Sequence, residues 1–172
     1  MGTLTTIPKS TLGPMAGIDY FLVTNFAEVI PTIDASGYAT FAEGDSSVAD
    51  AFVKFKPTKE TSGWNAPATG TPATGAISYM HTANMVFSKN DITNRNNLKE
   101  IGESEVFVVA VMRNNTQWLL GDSYNGLDLT AGMPDSGVAP NDVNGITMTL
   151  TQSCEAPPAM ITDVELALIQ PS

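Results

Sequence analysis

Residues 104–130 contain the feature that most constrains the fold, an unbroken apolar run followed by a turn and a second apolar segment. The run VFVVAVM, residues 106–112, is rich in β-branched side chains. A run this short predicts a strand buried on both faces rather than a helix. Asn114 and Asn115 follow, and asparagine suits a tight turn because it tolerates a positive φ angle. With the segment QWLL returning at 117–120, the sequence predicts a central β-hairpin around which the remaining chain packs.

The composition indicates a turn-rich β protein with an uncharged surface. The chain has 172 residues, and only 15% of them are charged, against roughly a quarter in an ordinary soluble domain. The 14 glycines and 11 prolines argue against a helical bundle. Cys154 is the one cysteine, so an intrachain disulfide is excluded. A surface with so few charges suits sheets, turns and protein–protein contact.

The charge balance limits the partners. The formal net charge is −10, from 18 acidic and 8 basic residues, so the protein is not expected to bind nucleic acid by neutralising phosphates. No apolar stretch is long enough to span a bilayer, and we expect no membrane partner. The first residues lack the apolar core of a secretory signal.

The pattern divides the chain into an N-terminal arm, residues 1–17, and a single β-sandwich domain, residues 18–172. Pro8 and Pro14 lie in the arm, which has few bulky apolar groups and is predicted to be extended. Two interpretations of the arm stay open: a disordered tail, or a segment that docks on a neighbouring subunit.

A Pro/Gly-rich stretch at 58–76 predicts a long irregular loop, because Ala-Thr-Gly recurs there with Pro67 and Pro72 between the repeats. Trp64 lies within it. An exposed tryptophan would leave a large apolar surface in water, so we expect it to anchor the loop on another surface, such as a neighbouring subunit. The alternative is that Trp64 packs onto its own sheet. A second long loop is predicted at 131–145.

Other segments predict further strands and one helix. Residues 76–88 alternate between apolar and polar side chains, as do residues 146–151, and a last strand is predicted around 160–168. Asp91 and Gly102 are suited to begin and end a short helix. The total is about eight strands with one flanking α-helix and long loops, which predicts a mainly β sandwich or barrel.

Three lysines, Lys54, Lys56 and Lys59, cluster in this otherwise acidic chain. The pattern favours a solvent-exposed sheet edge whose charges discourage unwanted pairing. The alternative is a basic rim that meets an acidic partner surface.

The residues that carry chemistry are too few for a familiar active site. His81 is the one histidine, on the apolar face of a predicted strand, and it is expected to be a core or interface residue rather than a base. Cys154 has no basic neighbour in sequence and is expected to be buried or inert. A zinc site would need more Cys and His, and the acidic and amide residues at 135–144 lack the spacing of a calcium loop. We therefore predict no catalytic residues, no metal and no cofactor, and a protein that is not an enzyme.

The order of features over residues 76–161 resembles the tail tube (major tail) proteins of long-tailed bacteriophages. It runs from the strand SYMHTANMVF through the helix ITNRNNLKEIG and the strand VFVVAVM to TQWLLGDSYNGLDLTAGMPDSG and DVNGITMTLTQ. The resemblance covers about half of the chain.

The resemblance implies a structural virion protein, assembled in the host cytoplasm and located in the tail. Such proteins form rings, commonly hexameric, that stack through loops and terminal arms, bind other tail proteins, and conduct DNA through a central channel during ejection. An acidic protein would let phosphates pass without holding them. The residues that we name as candidate contacts between subunits are Trp64, Pro67, Pro72, Pro8 and Pro14.

Two other classes of function stay open. The first is another virion or surface β-sandwich, such as a capsid decoration protein or an adhesin-like subunit. The second is an enzyme or small-molecule binder on a β-barrel, which would require a polar cluster inside a cavity, for example a pair of carboxylates brought together by folding.

Overall fold

The computed structural model describes residues 17–41, 51–71, 75–88, 91–136 and 144–171. About 50% of the described residues are in strands and 15% in helices, which confirms the predicted mainly β class. The described residues form twelve strands and two helices. In chain order these are β1 (Ile18–Asn25), β2 (Thr32–Ile33), β3 (Tyr38–Thr40), β4 (Val53–Phe55), β5 (Gly63–Asn65), β6 (Ala68–Thr71), β7 (Ala76–Phe87), α1 (Ile92–Glu103), β8 (Val106–Met112), β9 (Gln117–Leu120), β10 (Asp128–Asp135), β11 (Gly145–Cys154), β12 (Ala159–Ile161) and α2 (Asp163–Ile169).

The strands form two sheets, neither of which closes into a barrel. The larger sheet has seven strands in the order β2-β3-β12-β9-β8-β1-β4, and the smaller has five, β10-β11-β7-β5 with β6 also paired to β7. Most neighbours are antiparallel, but β12 and β3 run parallel. The two sheets pack face to face as a β-sandwich.

Strand β8 lies inside the larger sheet and is buried on both faces. Val108 and Ala110 point between the two sheets, and Phe107 and Val109 point to the opposite face. Its return partner is β9, with Ala110 paired to Trp118. The predicted central hairpin is therefore confirmed. Asn115 in its turn has a φ of 59°, as expected for asparagine in a tight turn.

The centre of the larger sheet is covered on both faces, whereas the smaller sheet is covered on one. Ile169 of α2 packs on the outer side of the larger sheet, together with Phe41 and Phe52, whose rings meet edge to face at 5.6 Å. On the inner side, Met85 and Leu150 of the smaller sheet face the larger sheet. The core is thus two apolar layers separated by β8 and its neighbours.

Helix α1 forms where the sequence predicts it, but it ends later. The Asp91 carboxylate accepts a hydrogen bond of 2.9 Å from the Asn94 backbone N–H, which confirms the predicted N-terminal cap. Gly102 is inside the helix rather than after it, because the helix continues to Glu103 and ends against an extended Ser104. Leu98 packs against β10 beside Gly132, where a Cβ atom would approach the leucine to 3.0 Å.

The predicted last strand over 160–168 is wrong, because only β12 is a strand and the chain continues as α2. The Thr162 hydroxyl caps the helix by accepting from the Glu165 backbone N–H at 3.3 Å. Asp163 and Glu165 in the first turn add a favourable interaction with the helix dipole. The Glu165 carboxylate is buried and accepts from the Phe41 N–H at 3.1 Å, so a charged residue points inward.

Both predicted loops contain strands. In the segment 58–76, β5 and β6 pair with β7, and the predicted loop at 131–145 begins with the second half of β10. Main-chain hydrogen bonds do not depend on side-chain type, so Ala, Gly and Thr suffice beside a long strand. Residues 72–74 and 137–143 of these segments, and residues 1–16 of the predicted arm, lie outside the described residues.

We predict that the two faces of β8 contribute equally to stability. Val108→Ala and Val109→Ala should each lower the free energy of unfolding by about 2 kcal/mol, because each empties space in a different fully buried layer. Val53→Ala is the matched control, since Val53 is 49% exposed and should lose less than about 0.5 kcal/mol. Urea unfolding measures all three. A loss at only one of the two buried valines would contradict the two-layer core.

Candidate assembly surfaces

The outer face of the five-stranded sheet is a regular surface that no other described element covers. We call it the open face. Side chains alternate along β7 and β11: the buried ones face the larger sheet, and the others lie on the open face. Strand pairing aligns the outward residues in rows across the sheet. The members that form these rows are Gly63, Asn65, Met80, Thr82, Asn84, Val86, Asp128, Ala131, Met133, Thr147, Thr149, Thr151 and Ser153.

The open face is almost uncharged and mostly polar, with Met80, Val86, Ala131 and Met133 as its apolar members. Strands β5, β6, β7, β10 and β11 contain no lysine or arginine, and their acidic residues are Asp128 and Asp135. The Thr149 hydroxyl donates to the Asn84 side-chain oxygen at 2.9 Å, which joins neighbouring strands on this face. The Thr130 hydroxyl donates to the Thr149 carbonyl at 3.1 Å. These groups satisfy one another and present no cation to a phosphate.

Strand β10 is an open sheet edge. It pairs with β11 on one side, and seven of its eight residues are exposed. It carries no lysine, and Pro134 is the one residue in it that blocks strand pairing. A long exposed edge of this kind can accept another strand. Sequence reasoning missed it because Gly132 and Pro134 indicate a loop.

The opposite edge of the same sheet is formed by β5 and β6, which lie end to end along β7. Between them Pro67 is exposed, and its carbonyl accepts from the Met80 N–H at 3.0 Å. The sheet therefore has an open face between two edges that have no further strand among the described residues.

Trp64 packs onto its own chain. It lies in β5, paired to Ala83, and its side chain is partly buried against the core between the sheets. Its ring centroid is 5.5 Å from that of Trp118 on β9, in a tilted arrangement. The structure thus shows the alternative in which Trp64 anchors β5 to the sandwich. Of the other candidate contacts, Pro67 is exposed, and Pro72, Pro8 and Pro14 lie outside the described residues.

His81 is fully buried and fully bonded. Its Nε2 lies 3.0 Å from the Ala156 carbonyl, and its Nδ1 accepts from the Gly121 backbone N–H at 3.0 Å. A neutral ring with the proton on Nε2 satisfies both contacts. Burial lowers the pKa of His81, against opposing contributions from the Ala156 hydrogen bond and the Asp122 charge. The expectation of a core histidine is confirmed.

Cys154 is also buried. Burial, with the Asp122 carboxylate nearby, raises the pKa of the thiol to about 12, so the thiolate form needed for nucleophilic attack is suppressed. The same carboxylate accepts from the backbone N–H groups of Tyr124 and Asn125, each at 2.8 Å, and thereby fixes the turn after β9. His81, Asp122 and Cys154 are therefore neighbours with structural partners.

The remaining concavities are shallow clefts at the surface. One of about 310 Å³ lies between β4 and α1, with Val53, Asn97 and Glu100 among its lining residues. In the described part of the chain, no three acidic, cysteine or histidine residues are grouped so that they could hold a metal ion. Neither of the two described helices has the length and apolar character needed to cross a membrane.

Comparison of the chain with models of known protein families, with curated proteins and with solved structures found no match.

We predict that Trp64→Ala lowers the stability of the isolated subunit. The free energy of unfolding should fall by about 2–3 kcal/mol, because a partly buried tryptophan loses its core contacts. Trp118→Ala and the double variant complete a double-mutant cycle, which should give a coupling energy of about 1 kcal/mol for the ring pair. If Trp64→Ala leaves stability unchanged, the anchoring contact with Trp118 is not formed in solution.

We predict that His81 makes stability fall on mild acidification. Its pKa in the folded protein lies below the ordinary value of 6.5, so the unfolded chain binds the proton first as the pH falls. Stability should be constant above about pH 7.5 and should decrease between about pH 6.5 and 5, by at most about 1.4 kcal/mol per pH unit. Urea unfolding at several pH values measures this.

The control for the histidine is His81→Gln. This variant should lose about 1–3 kcal/mol at pH 8, because glutamine is not expected to satisfy both buried partners. Its stability should then be flatter between pH 6.5 and 5 than that of the wild type. Equal pH slopes in the two proteins would show that His81 does not cause the acid sensitivity.

Proposed function

We propose that the protein is a structural virion subunit of the tail tube kind, whose copies join into rings that stack around a DNA-conducting channel. The observation that carries the proposal is the five-stranded sheet, which has an almost uncharged open face between two open edges. The resemblance of residues 76–161 to phage tail tube proteins supports the same function, with a hexameric ring, other tail proteins as partners and assembly in the host cytoplasm.

The open edges favour self-association through the sheet. Unpaired backbone groups along an edge strand bind best to another strand. The two edges of the five-stranded sheet differ in length, sequence and charge, so a contact between unlike edges of two copies is head to tail. A head-to-tail contact closes into a ring when the rotation between copies allows it, and otherwise forms an open filament.

The open face suits the wall of a DNA channel. In a closed ring of such sheets, one face of each sheet points to the axis, and the opposite face of this sheet already packs on the sandwich core. Threonine and asparagine side chains on the open face give phosphates no cation to bind. The net charge of −10 adds a repulsive field, so DNA would slide along the wall.

Negative-stain electron microscopy of the purified protein at increasing concentration tests the proposal. We expect hollow rings with a stain-filled centre, and stacks of these rings at the highest concentrations. Analytical ultracentrifugation of the same samples should show a species several times the 18.2 kDa subunit mass.

Two outcomes would contradict the proposal. A monomer at every concentration, with and without a crowding agent, would exclude self-assembly through the sheet edges. Discrete small oligomers that never stack and show no central hole would instead favour a decoration or adhesin-like subunit.

A further inference from the structure

The two sheets of the sandwich are offset, so that the larger sheet extends past the core that it shares with the smaller one. Among the described residues, that core contains side chains from β1, β4, β8 and β9 of the larger sheet but none from β12, β3 or β2, which follow β9 in the same sheet. The smaller sheet ends on this side at β5, whose Trp64 ring meets the Trp118 ring of β9. The larger sheet therefore has an overhang beside β5.

An apolar row crosses this overhang. Trp118 is paired with Met160 of β12, and Met160 is paired with Tyr38 of β3, so the three side chains point to the same face of the larger sheet. That face is the inner one, because Trp118 is also paired with Ala110, which belongs to the core between the sheets. Tyr38 is 40% exposed, and Met160 and both tryptophans are partly exposed. We define the tryptophan step as Trp64, Trp118, Met160 and Tyr38.

The opposite side of the sandwich is closed by helix α1. Ile101 of this helix lies in the core between the sheets, and Leu98 packs against β10 at Gly132. Neither described helix covers the tryptophan step, since α2 packs on the outer side of the larger sheet. The step contains aromatic rings and a methionine and no charged side chain, which is the composition typical of the buried centre of a contact between proteins.

We infer that β10 of a second copy covers the tryptophan step, so that the two tryptophans form the apolar centre of the contact between subunits. This inference rests on the proposed function. Trp64 lies in β5, an open edge of the smaller sheet, and a strand that pairs with this edge extends the smaller sheet over the overhang. The occupant is therefore a strand, and β10 is the exposed edge strand on the other side of the same sheet.

Strand β10 suits this place in direction and in chemistry. Each strand of the smaller sheet is antiparallel to the next, so β10 and β5 run in opposite directions. In a ring whose copies are related by rotation about an axis along the strands, β10 of one copy therefore meets β5 of the next as an antiparallel neighbour. The core-facing side of β10 is apolar, with Gly132, Pro134 and the partly buried Leu129.

Tryptophan fluorescence tests whether the step is covered on assembly, because Trp64 and Trp118 are the two tryptophans of the chain. In the dilute protein both rings are partly accessible to water. On assembly their emission should shift to shorter wavelength, and quenching by acrylamide should fall at least about threefold, since the apolar contact excludes water and quencher. The Trp118→Phe variant reports on Trp64 alone and should show the same fall.

Substitution of the other two members tests whether the step drives assembly. Tyr38→Ser with Met160→Ser removes apolar surface and leaves both tryptophans in place, so the protein concentration needed for half-maximal assembly should rise at least about tenfold. The matched control is Tyr124→Ser, which removes the same ring from a position that is 81% exposed and lies outside the tryptophan step. This control should form rings at the wild-type concentration, and urea unfolding confirms that each variant is folded.

A quencher on β10 identifies the occupant. Copies with Trp64→Phe, Trp118→Phe and a nitroxide-labelled Met133→Cys are mixed with unlabelled wild-type copies, so that all tryptophan emission comes from copies without the label. Burial keeps Cys154 unlabelled, because the pKa of its thiol is raised to about 12. Emission should fall when mixed particles form. The same label at Val164→Cys, a position that is 73% exposed on α2, should leave the emission unchanged.

The possible failures are distinguishable. If particles form while the tryptophans stay as accessible as in the dilute protein, or if the label on β10 quenches no more than the control label, the inference is wrong and the proposed function stands. If the tryptophans are already protected in the dilute protein, no second copy covers them, and their exposure on deletion of residues 1–14 would identify the N-terminal segment as the occupant. If the wild type never assembles, the proposed function and this inference both fail.

Discussion

The burial of β8 on both faces is the constraint on which the rest of the structure depends. A strand whose every side chain from Val106 to Val111 is buried must have an apolar layer above and below it. The second sheet supplies one layer. Helix α2 and the segments around Phe41 and Phe52 supply the other. The centre of the larger sheet is therefore a buried middle layer.

The smaller sheet has the opposite role. It covers one side of the middle layer and leaves its own outer face uncovered, with threonine and asparagine in aligned rows. Its edges are β10 on one side and β5 with β6 on the other, and the described chain adds no further strand to either. A surface of this kind suits the joining of copies better than the binding of a small molecule, and the buried, bonded state of His81 and Cys154 agrees with that.

The sequence correctly predicted the elements in which the spacing of apolar residues matches the side chains that the fold buries. The apolar run of β8, the alternation of β7 and the capped start of α1 are such cases. The sequence predicted loops for β5, β6 and the end of β10, because these segments contain Gly, Ala and Pro. They are strands because their backbones pair with a long neighbouring strand. The sequence also predicted a strand where helix α2 forms. In that helix the buried Glu165 carboxylate accepts a hydrogen bond from the Phe41 backbone N–H, which is distant in sequence.

The candidate surfaces were only partly predictable for the same reason. The alternating threonines at 147–151 indicate one outward face, but which strands flank them is decided by long-range pairing. Trp64 was recognisable as an anchor, whereas its partner Trp118 becomes visible only when the two sheets are packed.

Hydrogen–deuterium exchange of assembled and dilute protein tests most directly whether copies join through the sheet edges. Backbone amides of β10 (residues 128–135) and of β5 and β6 (residues 63–65 and 68–71) should gain protection on assembly, because an incoming strand covers these two sheet edges. Amides of β8 should be equally protected in both states, since they are already bonded inside the sheet. Assembled particles in which β10 exchanges as fast as in the dilute protein would contradict the account.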